Sequence, residues 1–297
     1  MTGATGYVGA HVVVRLLDEG WRVRVLTRDA TGLADQPWAD DVEVVEGDAQ
    51  DPAALARAAA DVDTAWFLIH SMSGTYDYAV RDRTIATRFG EACREAGVSR
   101  IVYLGGLYPD STSLSPHLES RREVGQILLE SGVPTAVLQA GIVVGSGSVS
   151  YELLRLATER LPVVIGPDWL DHRVQPIAID DALHYLVAAA DLPADVNRAF
   201  DIGGADALSY RQLIEVYADV AGLRPRPFLT LPVLLPRTTA LWAGIVAPVP
   251  TSLGSSLVAS LMFDMVCREH DLDTYVPAPA GGVRSFRDAV VAARSSR

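Results

Sequence analysis

The sequence contains no lysine: all 25 of its basic residues are arginine. Schiff-base catalysis, a phosphate-loop lysine and any lysine-assisted proton relay are therefore excluded. Cysteine is nearly as scarce. Cys93 and Cys267 lie far apart with no metal-type spacing, which predicts reduced thiols in a cytoplasmic protein and no metal cofactor. No uninterrupted run of roughly 20 apolar residues is present to span a bilayer as a helix. The greasiest region, residues 228–266, is broken by Pro232, Pro236, Arg237, Pro248 and Pro250. It is expected to fold against the body as an apolar lobe; a homo-oligomer interface or a membrane-surface contact is the other reading of it. There is no basic arm or stripe, and the formal charge is −12, so nucleic acid is not an expected partner.

What the sequence does have is glycine in a pattern. Thr2-Gly3-Ala4-Thr5-Gly6-Tyr7-Val8-Gly9 is a Gly-x-x-Gly-x-x-Gly turn that runs directly into the amphipathic stretch Ala10 to Leu17. Glycines permit a tight turn and let backbone N–H groups approach a diphosphate, while the helix start supplies partial positive charge. The apolar run Val23 to Leu26 follows, ending at Thr27-Arg28 where a second strand should stop. An acid at that point accepts bonds from a ribose 2′-OH, whereas an arginine pairs with a 2′-phosphate, so Arg28 predicts NADP(H) as the cofactor. Only Met1 and Thr2 precede Gly3, so the central strand expected before this turn is largely missing from the sequence given. A β-branched, apolar segment is expected upstream of Met1.

Strand-like and helical stretches then alternate, the pattern of a parallel sheet with crossover helices. Residues 42–48 read as a strand, 51–60 as a helix, 64–69 as a buried strand and 77–96 as a helix with Ile85, Phe89 and Ala92 on one face. Residues 100–106 read as the next strand, 118–130 as a helix and 135–139 as a further strand. The expected fold class is α/β: a Rossmann-type doubly wound parallel sheet with a smaller, apolar C-terminal substrate lobe. Residues 1–145, completed by 174–204, form the expected NADP-binding core, and 146–173 with 205–297 the lobe. Asp180-Asp181 reads as a helix-start pair rather than a catalytic one, and Ser209 to Gln212 has the form of a capping box.

Together these segments resemble the short-chain dehydrogenase/reductase superfamily, in its atypical, NmrA-like branch of NAD(P)-binding proteins. The carriers are the glycine turn, Arg28, Gly47-Asp48, Tyr103 to Gly106, Pro176 to Asp181 and Phe200 to Gly204. The resemblance implies that Gly3, Thr5, Gly6, Tyr7, Val8 and Gly9 hold the diphosphate, and that Asp48 and Ala49 sit by the adenine. Ile69 and His70, at the exit of the fourth strand, would lie along the cofactor, with Gly105 and Arg121 near the nicotinamide end.

The superfamily's usual serine, tyrosine and lysine are replaced. Gly105 or Gly106 stands for the serine, and His117 and Arg121 match Tyr-x-x-x-Lys in spacing. His117 and His70 are the catalytic candidates, and Tyr103 and Tyr108 are further titratable residues at a strand exit. With Arg121 one turn away, His117 is expected to titrate low and to act as a base rather than an acid. Alternatively, hydride transfer proceeds with little proton chemistry from the protein. The expected function is NADP(H)-dependent oxidoreduction of a small apolar carbonyl, enone or quinone-like compound, with Trp169, Trp242 and residues 229–235 lining its pocket. A non-catalytic NADP(H)-sensing regulator of the NmrA type is the alternative.

Overall fold

The glycine turn delivers the chain into α1 (Tyr7–Asp18), whose Val12, Val13 and Leu16 share a buried face at helical spacing. The computed structural model describes residues 1–69, 78–109, 114–166, 168–230 and 263–296. After α1 come β1 (Arg24–Thr27), β2 (Glu43–Glu46), α2 (Pro52–Ala59), β3 (Thr64–Phe67), α3 (Tyr78–Ala96), β4 (Arg100–Gly106), α4 (Pro116–Leu129) and β5 (Thr135–Ala140). The second half holds β6 (Val143–Val144), α5 (Val149–Arg160), β7 (Val164–Gly166), β8 (Arg173–Val174), β9 (Ile177–Ala178) and α6 (Ile179–Ala188). It continues through β10 (Arg198–Ile202), β11 (Leu208–Ser209), α7 (Tyr210–Val220), β12 (Phe228–Thr230) and α8 (Phe286–Ser295).

β1 pairs with β2, and β3, β4, β5 and β10 pair in that order, every pair parallel. The N-terminal residues stand between the two pieces. Thr2 bridges Leu26 of β1 and Phe67 of β3. Its N–H donates to the Trp66 carbonyl at 3.0 Å, and the Leu26 N–H donates to the Met1 carbonyl at 2.9 Å. The order across the sheet is thus β2, β1, residues 1–2, β3, β4, β5, β10, that of a doubly wound fold. Beneath residues 1–2 a cavity of about 20 Å³ is lined by Leu26, Leu55, Phe89 and Cys93.

One face of the sheet is covered by α1 and α6, where Val13, Leu16, Trp66, Leu186 and Phe200 pack together. The opposite face is covered by α2, α3 and α4, around Leu55, Ile85, Phe89, Tyr103 and Leu128. Full burial of each such side chain is worth about 1.5–3 kcal/mol, so these two layers carry the sheet. A third apolar cluster joins Tyr151, Leu213, Tyr217 and Val290 of α5, α7 and α8 to Leu107, Leu118 and Val144. Those last three lie beyond or beside strand carboxyl ends, so this cluster is anchored at the end of the sheet where ligands bind in such folds.

Caps explain two boundaries. α7 opens with the expected capping box: Ser209 accepts from the Gln212 N–H and the Gln212 side chain accepts from the Ser209 N–H. α4 begins at Pro116, two residues before the expected Leu118, because Ser115 caps it by accepting from the Leu118 N–H and proline suits the first turn. At the amino end of β4, the buried Arg100 guanidinium donates to three carbonyls: Val196 at 2.6 Å, Leu192 at 2.8 Å and Pro193 at 2.7 Å. It ties the segment before β10 under the sheet. Asp180 and Asp181 lie in the first turn of α6, as expected of a helix-start pair, but the N-cap position is taken by Ala178. Their carboxylates receive Arg284, by its side chain on Asp180 and its N–H on Asp181.

Candidate functional site

The cradle at the start of α1 is made by absent side chains. Gly3 has φ +79°, and a Cβ there would stand 2.4 Å from the Leu68 carbonyl oxygen; a Cβ on Gly9 would stand 2.0 Å from the Gly3 oxygen. Both obstacles are backbone, which cannot swing aside as a side chain can. Gly6 closes the turn by donating its N–H to the Gly3 oxygen at 3.0 Å. Thr5 and Gly6 are exposed at the crest, and the first-turn N–H groups of α1, including those of Tyr7, Val8 and Gly9, have no partner within the helix. Dense backbone donors, the helix dipole and no Cβ in the way fit a diphosphate. Ile69 N lies 3.0 Å from the same built Cβ of Gly3, so the exit of β3 borders the cradle. His70, the next residue, lies outside the described residues, as do residues 231–235, Trp242 and the side chain of Trp169.

Tyr7 turns away from the crest. Its hydroxyl is buried and would lie 2.0 Å from a Cβ on Gly145, while its ring lies 3.5 Å from one on Gly147. Burial pushes the phenol up to about 12, helped by Asp180 and Glu152. The ring is therefore a neutral wedge between the cradle and the turn before α5. His11 leans on its other side, ring centroids 4.7 Å apart.

Arg28 is exposed at the tip of β1, and among the described residues no carboxylate pairs with it. The acid beside it is engaged: Asp29 accepts from the Thr31 hydroxyl at 2.6 Å and the Thr31 N–H at 2.8 Å through Oδ1. Those bonds hold its carboxyl below the usual range. Across the same rim, Asp48 follows β2 with Oδ1 accepting from the Gln50 N–H at 2.8 Å, and Ala49 is buried beneath it.

At the other half of the sheet, β4 ends in two glycines with different surroundings. A Cβ on Gly105 would meet the Tyr103 ring at 3.2 Å, whereas one on Gly106 would meet nothing among the described residues nearer than Leu118 at 4.0 Å. Of the two, Gly106 has the more room for a side chain among the described residues. His117 sits in the first turn of α4, and Arg121 follows one turn later. Arg121 Nη1 donates to the Tyr103 hydroxyl at 3.1 Å. Tyr103 is a fully buried core residue with its hydroxyl satisfied, and it fixes the guanidinium against β4. Burial, then the charge of Arg121, lowers the His117 imidazole to about 4.

The unfolded-state value is near 6.5, so between pH 6.5 and 4 the unfolded chain binds the proton and the native chain does not. Stability from this residue is complete above pH 6.5 and is lost as the pH falls through that window. Proton NMR of the ring should show His117 still neutral at pH 5.5; a midpoint near 6.5 would contradict this environment.

A network lies beyond the carboxyl ends of β4, β5 and β10 that local sequence reading missed. Arg268 forks onto the buried carboxylate of Asp201, with Nε to Oδ2 and Nη2 to Oδ1 both at 2.9 Å. The same Nη2 donates to Gln139 Oε1 at 2.9 Å, and Gln139 Nε2 donates to the Tyr108 hydroxyl at 2.8 Å. The guanidinium carbon stands 5.3 Å from the centre of the Tyr108 ring. Asp201 belongs to the Phe200 to Gly204 segment, but its partner is 67 residues later, beyond any periodic signal.

Comparison with known proteins followed these features. Residues 3–156 match the family model described as NAD(P)H-binding. A ceramide reductase of Caulobacter vibrioides is 31% identical over 248 residues, covering 76% of this chain and 71% of that protein. A (4-alkanoyl-5-oxo-2,5-dihydrofuran-3-yl)methyl phosphate reductase of Streptomyces griseus is 30% identical over 250 residues, covering 84% and 82%. Among solved structures, the Citrobacter sp. triphenylmethane reductase complexed with NADP(H) superposes with a TM-score of 0.74 at 19% identity, covering 97% of each chain.

Proposed function

This chain belongs to the NAD(P)H-binding family, and on that premise we propose that it is an atypical, NmrA-like short-chain dehydrogenase/reductase, an NADP(H)-dependent reductase of a small apolar carbonyl, enone or quinone-like compound. The observation that carries the coenzyme choice is Arg28. It stands exposed beyond β1, the one neighbouring acid is turned onto Thr31, and nothing among the described residues neutralises it. Such a guanidinium suits a 2′-phosphate, with the glycine cradle taking the diphosphate and Asp48 and Ala49 flanking the adenine. When bound, the coenzyme supplies a hydride. The chain supplies position, and polar groups at the ends of β4 and β5 over the buried cluster of Leu107, Leu118 and Tyr151. The relatives named above, reductases by description, support the reaction class.

A sensing role remains the second reading, favoured by one observation. At the positions of the usual triad stand glycine, a histidine held neutral and an arginine engaged by Tyr103. Turnover separates the two. Reduced coenzyme should be consumed in the presence of members of a panel of apolar ketones, enones and quinones. Arg28→Ser should weaken NADPH binding about 10- to 100-fold, the worth of charge-assisted bonds of about 1.5–3 kcal/mol, and leave NADH binding within about threefold. Tight NADPH binding without turnover on any of the panel would favour the sensor; an Arg28→Ser protein with unaltered preference would remove the 2′-phosphate assignment.

A further inference from the structure

Donor arithmetic fixes the direction of the bonds around Tyr108. A guanidinium has donors only, so the Gln139 atom facing Arg268 is the amide oxygen. The Gln139 atom facing Tyr108 is then the NH₂ group, and the phenolic oxygen accepts. The hydroxyl hydrogen points elsewhere, and among the described residues nothing receives it. Tyr108 is half-buried and is the first residue to leave the sheet, since the Leu107 N–H is still bonded to the Ala140 carbonyl at 2.9 Å. It therefore stands at the carboxyl edge of β4 and β5, on the half of the sheet opposite Arg28, where a ligand of this fold presents its far end.

Resting on the reductase reading above, we propose that Tyr108 delivers the proton to the oxygen of a carbonyl substrate, with Gln139 and Arg268 as the residues that position it. In this step the phenolic O–H bond breaks and an O–H bond forms on the substrate, while its carbonyl carbon takes one hydrogen with two electrons from the reduced nicotinamide. Water then returns a proton to the phenolate. The surroundings match the charge that develops. The Gln139 N–H already points at the oxygen that becomes negative, and the Arg268 cation lies over the ring across which that charge spreads. Asp201 pairs with Arg268 and keeps it in place. His117, neutral at physiological pH, has no imidazolium proton to give.

The test uses the purified protein with NADPH and cyclohexanone. Tyr108→Phe removes only the hydroxyl, and kcat should fall at least about tenfold while NADPH affinity stays within about twofold. Gln139→Glu keeps the volume but reverses the bond: the introduced carboxylate accepts the phenolic proton and turns it inward, so kcat should fall similarly with the ring intact. A readout independent of turnover is the carbon-13 resonance of carbonyl-labelled cyclohexanone bound alongside NADP⁺. Hydrogen-bond donation shifts it downfield, and both variants should lose that shift. If Tyr108→Phe keeps its turnover and its carbonyl shift, Tyr108 is not the donor and the reductase reading stands. If the unaltered protein binds no NADPH, or oxidises it with no member of the panel, that reading fails and the proton assignment falls with it.

Discussion

Replacing Gly9 by alanine should weaken NADPH binding by about 100-fold or more while leaving the far-ultraviolet circular dichroism unchanged. The added Cβ would stand 2.0 Å from the Gly3 oxygen, 2.8 Å from the Gly3 carbonyl carbon and 3.1 Å from the Ala4 Cα. All three are backbone atoms of the facing turn, so relief requires the cradle itself to open. Overpacking of this kind costs about 1–3 kcal/mol, occasionally more. Here the strain falls on the turn proposed to aim its N–H donors at the diphosphate, and each 1.4 kcal/mol is about tenfold in affinity. Calorimetric titration with NADPH measures it. Gly20→Ala is the control: it has φ +84° but open space around its Cβ, so it should lose some stability and none of the affinity. Equal affinities in both variants would show that the close approach of Gly9 to Gly3 does not matter.

The largest stability effect is expected at Arg100. This side chain is 2% exposed, and its guanidinium is held by the carbonyls of Val196, Leu192 and Pro193, with the Asp195 charge acting on it as well. Burial pulls its affinity for the proton down, though an arginine stays charged. Arg100→Ala would leave three carbonyls without donors, each costing about 1–3 kcal/mol where water cannot reach. Allowing for partial hydration, the loss should be about 3–5 kcal/mol, seen as a lower urea midpoint with an unchanged slope. Arg100→Met, which restores most of the apolar volume, should recover little. A methionine variant as stable as the parent would mean that the three bonds add nothing.

Where the sequence carried its information locally, the reading held. The glycine turn, the face of α1, the capping box of α7 and the alternation that builds a parallel sheet are patterns carried by neighbouring residues or consecutive segments, and each is met in the structure. The direction in which His117 titrates agrees with a cation one turn away, but its larger cause, burial, was not legible in the spacing. What could not be read is what the fold brings together. Arg121 faces Tyr103, 18 residues earlier, because α4 packs on β4. Arg268 and Asp201 meet only because the segment holding Arg268 runs past the carboxyl end of β10. Choosing between Gly105 and Gly106 needed the position of a ring on the neighbouring pleat. His70, Trp169 and Trp242 concern positions or side chains outside the described residues.

Tyr7 has one more implication. Its phenol fills the space that side chains at 145 and 147 would take, so the crest of the glycine turn and the loop entering α5 are keyed to each other like cog and socket. An ångström of tightening at the first turn of α1 cannot stay there; the loop must yield by a similar amount or the ring must leave.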